Sequence, residues 1–233
     1  MNFGHQNNCT NCVDCAMRSP LFEHLSKLEL ELVNKHRFEI KFNKGEIIRK
    51  QGTFLSHVIS LNTGLAKLYL EGIDNKNLIL RIIKPSTFIG GPGMYYDQRH
   101  HYTVSAIVES SACFIDVNIF KKITQTNPQF AAEFMKEFSI NMLSTYDRLI
   151  NVAQKQIPGK MANALIYLAN EIFTKNSIGP EISKQDLADM TNMSKDSTVK
   201  VLRSFTNEGL IRQNQGQIEI INMEALIKIS NIG

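Results

Sequence analysis

Three thiols recur at even spacing in the stretch CTNCVDC, at Cys9, Cys12 and Cys15, and the chain of 233 residues has one further cysteine, Cys113. Two residues between neighbouring thiols leave a short loop that can turn all three toward one centre. Three chemistries suit such a loop. Four thiolates bind tetrahedral zinc, and His5 can stand in for Cys113 as the fourth ligand. Four thiolates also hold an iron–sulfur cluster, for which C-x2-C-x2-C is a known ligand run. Two of the trio can instead act as a redox thiol pair. In a reducing compartment clustered cysteines bind metal or do redox chemistry more often than they form structural disulfides. A second set of potential ligands is His100-His101 with Met94, which could serve a haem as axial donors. A barrel metalloenzyme needs two histidines that point inward together. Neighbours on a strand point to opposite faces, so His100 and His101 do not form that pair, and Glu109 alone does not restore it. No enzyme activity is expected.

The third constellation lies near the C-terminus. Ser183 with Asp186 three residues later has the form of a capping box, with Leu187, Ala188 and Met190 facing inward. Thr191-Asn192-Met193 makes a short turn, and Ser194 caps a second helix whose expected core face is Val199, Leu202 and Phe205. This leaves Lys195, Asp196, Ser197, Lys200 and Arg203 on the exposed side. Such a helix suits the major groove of double-stranded DNA, where N-terminal side chains reach base edges and basic ones hold phosphates. GLIRQNQGQIEII then reads as a two-stranded wing turning at Gln215-Gly216. Charge does not carry this reading. From Lys155 to Gly233 there are nine Lys or Arg against eight Asp or Glu, a net of +1, and the whole chain carries +4. That balance permits a polyanionic partner without requiring one.

The elements that must position these groups change character along the chain. From Phe38 to about Phe120 short β-branched runs (FEIKF, EIIRK, VISLN, LAKLYLE, NLILRII, YTVSAIV, ACFIDV) alternate with Gly45, Gly52, Gly64, Gly72 and Gly90-Gly91. That punctuation predicts about eight antiparallel strands in a β-roll. After Asn127-Pro128, where Asn caps and Pro tolerates the first turn, the period becomes helical. Phe134, Phe138, Asn141, Thr145, Leu149 and Val152 fall three or four apart along a helix of about 28 residues, some 40 Å long. A helix of that length beside a small β domain predicts a homodimer seam along this stripe. Ile157-Pro158-Gly159 marks a hinge. No uncharged apolar run approaches the roughly 18 residues of a membrane span, and the polar start MNFGHQNN has no signal-peptide core, so a cytoplasmic protein without membrane contact is expected. The expected fold is α+β. Its segments are a cysteine-rich stretch at 1–20, a jelly-roll-like β-roll at 21–127, a dimerisation helix at 128–156 and a winged helix-turn-helix at 157–233.

This order of parts resembles the CRP/FNR family of bacterial transcription regulators over nearly the whole chain. Lys44-Gly45-Glu46, Gln51-Gly52, Thr63-Gly64 and Phe88-Ile89-Gly90 are similar to the family's glycine-punctuated strands. Ile157-Pro158-Gly159-Lys160-Met161-Ala162 is similar to its hinge, and Ser194 to Leu210 matches its recognition helix without gaps. The resemblance implies a homodimer on a palindromic promoter site, acting with RNA polymerase. In the cyclic-AMP-binding branch a Glu-Leu pair and an Arg-Ser pair hold the nucleotide. Here Gly91-Pro92 and Tyr102-Thr103 stand in those places, so no cation awaits a cyclic phosphate. Thr145 matches an adenine contact of that branch, with Tyr146 where it has serine. The FNR branch holds an oxygen-labile iron–sulfur cluster with three N-terminal cysteines and a fourth on a late strand. By that resemblance Cys9, Cys12, Cys15 and Cys113 hold a [4Fe-4S] cluster that senses oxygen or nitric oxide and favours the dimer while intact. The FNR loop has a wider gap before its third cysteine. The recognition helix departs too, with Asp196, Val199 and Lys200 where the FNR pattern presents Glu, Ser and Arg.

Overall fold

The computed structural model describes residues 11–233, so Cys9 and His5 lie outside the described residues. The chain divides into two compact units: residues 11–70 with 81–142, and residues 71–80 with 143–233.

Eight strands make the roll: β1 (Arg37–Phe42), β2 (Ile47–Arg49), β3 (His57–Thr63), β4 (Ala66–Glu71), β5 (Asn77–Ile83), β6 (Phe88–Ile89), β7 (Thr103–Ala106) and β8 (Ser110–Asp116). They form two four-stranded sheets, ordered β1-β8-β3-β6 and β2-β7-β4-β5. Within the first sheet β8 is flanked on both sides, and Cys113 stands opposite Glu39 on β1 and Ser60 on β3. The turn between β3 and β4 needs glycine. Gly64 has φ +87°, and a Cβ there would run into the backbone of Ser110.

Helix α1 (Lys27–Lys35) starts at a full capping box, with the Ser26 side chain on the Glu29 N–H and the Glu29 carboxylate on the Ser26 N–H. Helix α2 (Val117–Thr126) follows β8, capped by Asp116. The 27-residue α3 (Pro128–Gln154) begins where Asn127 accepts from the Phe130 N–H at 3.0 Å, the cap its sequence predicts. The core joins the N-terminal segment to the roll and to the start of α3. Phe22, Phe88, Phe120, Phe130 and Phe134 are all buried in it, with ring centroids 4.9 to 6.1 Å apart for the pairs Phe88–Phe120, Phe120–Phe130, Phe120–Phe134, Phe22–Phe130 and Phe22–Phe88.

Of the dimer stripe expected from spacing, Phe134 is taken up by this packing. Phe134 is 7 % exposed and sits inside its own roll, and Phe138 lies next to it with its ring tilted and centroids 6.4 Å apart. Asn141 accepts a hydrogen bond from Arg81 on β5. Thr145 and Val152 are half-buried. The exposed apolar positions of α3 are instead Met135, Met142, Tyr146 and Leu149, spaced seven, four and three apart, with Ile140, Leu143 and Ile150 beside them. Of the expected stripe, Leu149 alone belongs to that row. Phe134 faces inward because the roll's aromatic core takes up the first turns of the helix.

In the second unit α4 (Ile157–Tyr167) starts at the expected hinge, with Pro158 in its first turn, and packs on α7 (Met223–Ile232). Helices α5 (Lys184–Thr191) and α6 (Lys195–Asn207) are joined through Asn192, which takes the left-handed conformation at φ 52°. Strands β10 (Ile211–Asn214) and β11 (Gln217–Ile220) form the wing, with β9 (Ser177–Ile178) on its far side. Gln215 and Gly216 both have positive φ, as a two-residue hairpin of this twist requires. No helix among the described residues is long and apolar enough to cross a membrane.

Candidate thiol site and DNA-reading helix

Cys12, Cys15 and Cys113 line one small cavity of about 30 Å³, beside Arg18, Arg37 and Asn62. Strand pairing fixes one wall. Cys113 is buried on β8, and its Sγ accepts from Asn62 Nδ2 at 3.1 Å and from Arg37 Nη1 at 3.2 Å. Asn62 is on β3 and Arg37 opens β1, so both donors reach the sulfur from the flanking strands. The N-terminal loop forms the other wall. The Cys12 N–H donates to Asn34 Oδ1 at 3.0 Å, and Arg37 Nε donates to the same oxygen at 3.2 Å. Arg18 Nη1 donates to the carbonyls of Cys12 and Val13, both at 3.1 Å, and thereby shapes the turn. The Arg18 Nε–H is buried without a partner.

Burial pushes the Cys12 thiol up, and Cys113 adds to the rise; the charge and hydrogen bond of Arg37 pull the other way without reversing it. Arg37 loses to burial but gains more from Cys113 and Cys12, so its pKa ends above the ordinary value. The two thiols and this guanidinium form one electrostatic unit. Cys15 is disulfide-bonded. Among the described residues no three Cys, His, Asp or Glu side chains are placed to hold a metal ion as they stand. The donor set nonetheless fits a thiolate-ligated iron–sulfur cluster in kind. Three cysteines border one space, two guanidiniums stand ready to offset the negative charge of such a group, and one buried N–H has no acceptor. Loading the space with such a group requires reduction at Cys15.

The second ligand set is divided between the interior and the surface. Met94 is buried in the roll's core, while His101 is exposed and bonds Asp97 at 3.1 Å. His100 is buried with Nε2 unpartnered, and burial, aided by Arg49 and His101, pushes its pKa down to about 4. At the place where a cyclic phosphate would need a cation, Tyr102 is half-buried and its hydroxyl donates to Gly90 O at 2.6 Å. Burial pushes that phenol well above its ordinary range.

The other site is α6. Ser183 and Asp186 complete a reciprocal capping box at α5, and Ser194 caps α6 on the Ser197 N–H at 3.1 Å. Thr198, Val201, Leu202 and Phe205 bury the inner face. Arg148, itself buried, donates to Met190 O at the end of α5 at 3.3 Å, with its guanidinium 5.3 Å from the Tyr167 ring. Lys195, Asp196, Lys200 and Arg203 are all exposed. Ser197 is half-buried and its hydroxyl is engaged with Ser194 Oγ at 2.9 Å. Val199 is not the core residue its spacing suggests. It is 37 % exposed, and Val201 takes the inner position. Arg37 and Asn62 carry no motif signal, because only strand register brings them to Cys113, whereas Arg18 stands three residues after Cys15 in the sequence.

Two family models match in succession, the cyclic nucleotide-binding domain over residues 39–127 and the Crp-like helix-turn-helix domain over residues 159–229. The chain is a CRP/FNR-family transcription regulator. A CRP-like cAMP-activated global transcriptional regulator of Mycobacterium tuberculosis is 18% identical over 215 residues, covering 91% of this chain and 96% of its own. The transcriptional activator protein FnrL of Cereibacter sphaeroides is 20% identical over 209 residues, covering 86% and 83%. In solved structures the fold is shared with FixK2 of Bradyrhizobium japonicum, at a TM-score of 0.75 and 16% identity over 83% of this chain and 96% of that one. As a CRP/FNR regulator the protein carries a DNA-binding helix-turn-helix on a CRP-like fold.

Proposed function

We propose that this regulator is a cytoplasmic homodimer that binds palindromic promoter DNA and senses oxygen or nitric oxide through a [4Fe-4S] cluster on Cys9, Cys12, Cys15 and Cys113. The observation that carries the reading is the convergence of Cys12, Cys15 and Cys113 on one cavity flanked by Arg18 and Arg37. When bound, such a cluster supplies a centre that oxygen and nitric oxide degrade. The protein's own part is to hold the ligands and transmit their state. Cys113 is fixed by β1 and β3 through Arg37 and Asn62, while Cys12 and Cys15 ride on the N-terminal loop that Asn34 and Arg18 hold beside it. Phe22 borders the cavity, and its ring lies 5.9 Å from Phe130 in the first turn of α3. A shift of the loop therefore reaches the helix that offers Met142, Tyr146 and Leu149 to a second copy. Segments 1–20, 21–127, 128–156 and 157–233 serve in turn as cysteine loop, sensor roll, dimer helix and DNA reader, with RNA polymerase the further partner at the promoter. The test is a Cys113→Ala protein purified without oxygen. It is expected to lose most visible absorption and iron; retention of the full wild-type absorption and iron content rules out four-cysteine ligation.

A further inference from the structure

The exposed face of α6 carries one side chain that neither a phosphate nor a polar base edge explains. Lys195, Val199 and Arg203 lie four residues apart and form one ridge along the helix, with Asp196 and Lys200 on the next. Val199 is 37 % exposed, although its β-branched side chain is disfavoured in a helix and the buried inner face is made by Thr198, Val201, Leu202 and Phe205. It stands in the N-terminal half of the helix, the part that reaches bases in the major groove. Valine has no donor or acceptor, and the one apolar group on a base edge in that groove is the C5 methyl of thymine. We propose that Val199 reads a thymine methyl in each half-site, as a specificity determinant flanked by the polar contacts of Lys195, Asp196 and Arg203. Its neighbours on the ridge are cations at both ends, so phosphate contacts there hold the valine at base depth.

Burying one methyl against an apolar side chain is worth about a factor of four in affinity per half-site, and about sixteen for a symmetric pair. The binding site is found by selection. Full-length protein, prepared without oxygen, selects duplexes from a random library, and each thymine of the enriched site is then replaced by deoxyuridine, which lacks only the methyl. Binding of wild type, Val199→Ala and Val199→Ile is measured on every duplex at one salt concentration. The expected result is one symmetry-related thymine whose replacement weakens wild type and Val199→Ile about four-fold per half-site and leaves Val199→Ala unchanged. Residue 199 is exposed and alanine is the better helix former, so the variant keeps its fold. The proposal is overturned if no methyl matters to wild type, if Val199→Ala shows the same penalty, or if the selected half-sites hold no thymine.

Discussion

Replacing Phe134 by alanine separates two roles that spacing along α3 confuses. In this structure Phe134 is 7 % exposed, and its ring lies 5.2 Å from Phe120, 6.1 Å from Phe88 and 6.5 Å from Tyr95. Truncating a buried phenylalanine in such surroundings costs about 3–5 kcal/mol, the transfer of the ring plus the cavity it leaves. For a chain of this size that is a fall in melting temperature of roughly 6–20 °C. The loss belongs to the single chain, so it persists at every protein concentration. Leu149→Ala is the control. Leu149 is 46 % exposed, and removing it should leave the single chain's stability unchanged within about 0.5 kcal/mol while weakening association of two copies. Calorimetry of both variants over a hundred-fold concentration range, with sedimentation equilibrium alongside, distinguishes these effects. If Phe134→Ala melts like wild type at low concentration and its main defect is dimer dissociation, the assignment of Phe134 to the roll's core is wrong.

Three shorter expectations follow from other parts of the molecule. Met142→Glu, at a position 40 % exposed, should place like charges across the seam and give monomers that keep their secondary structure; a dimer of unchanged affinity would exclude this face. His100 is held neutral, its pKa down at about 4 against the ordinary 6.5, so the unfolded chain binds more protons between those values. Stability present above pH 6.5 is therefore lost as pH falls toward 4. The loss is at most about 3 kcal/mol. In urea titrations His100→Gln should flatten this slope, and an unchanged slope would acquit the histidine. Lys200→Ala should weaken a selected site by about 1–3 kcal/mol and random DNA much less. Equal weakening on both, with a salt slope smaller by about one, would make Lys200 a phosphate contact.

Local signals in this chain were legible and long-range ones were not. Ser183 with Asp186, Ser194 before α6, Asn127 before Pro128 and the Gln215-Gly216 turn each act within four residues, and the structure contains all of them. The strands of the roll could be read from their glycine spacing for the same reason. The face of α3 could not. Phe134, Met135, Phe138, Ile140, Met142 and Leu143 place apolar groups nearly all round the helix, so several stripes satisfy the period, and only packing against Phe88 and Phe120 selects the inward one. Val199 and Val201 posed the same ambiguity on α6. At the thiol site the spacing of CTNCVDC predicted a loop able to share a centre. That Cys113 meets Cys12 across Arg37 and Asn62 depends on strand register over fifty residues and more, which no local pattern encodes.

Cluster sensing is tested most closely by purifying the wild-type protein without oxygen, followed by a visible spectrum and assays for iron, sulfide and zinc. The expected result is a broad absorption near the blue end of the visible, about four irons and four sulfides per chain, and bleaching on exposure to air. Stoichiometric zinc on a colourless protein, a haem spectrum, or thiols with no metal under these conditions would contradict it.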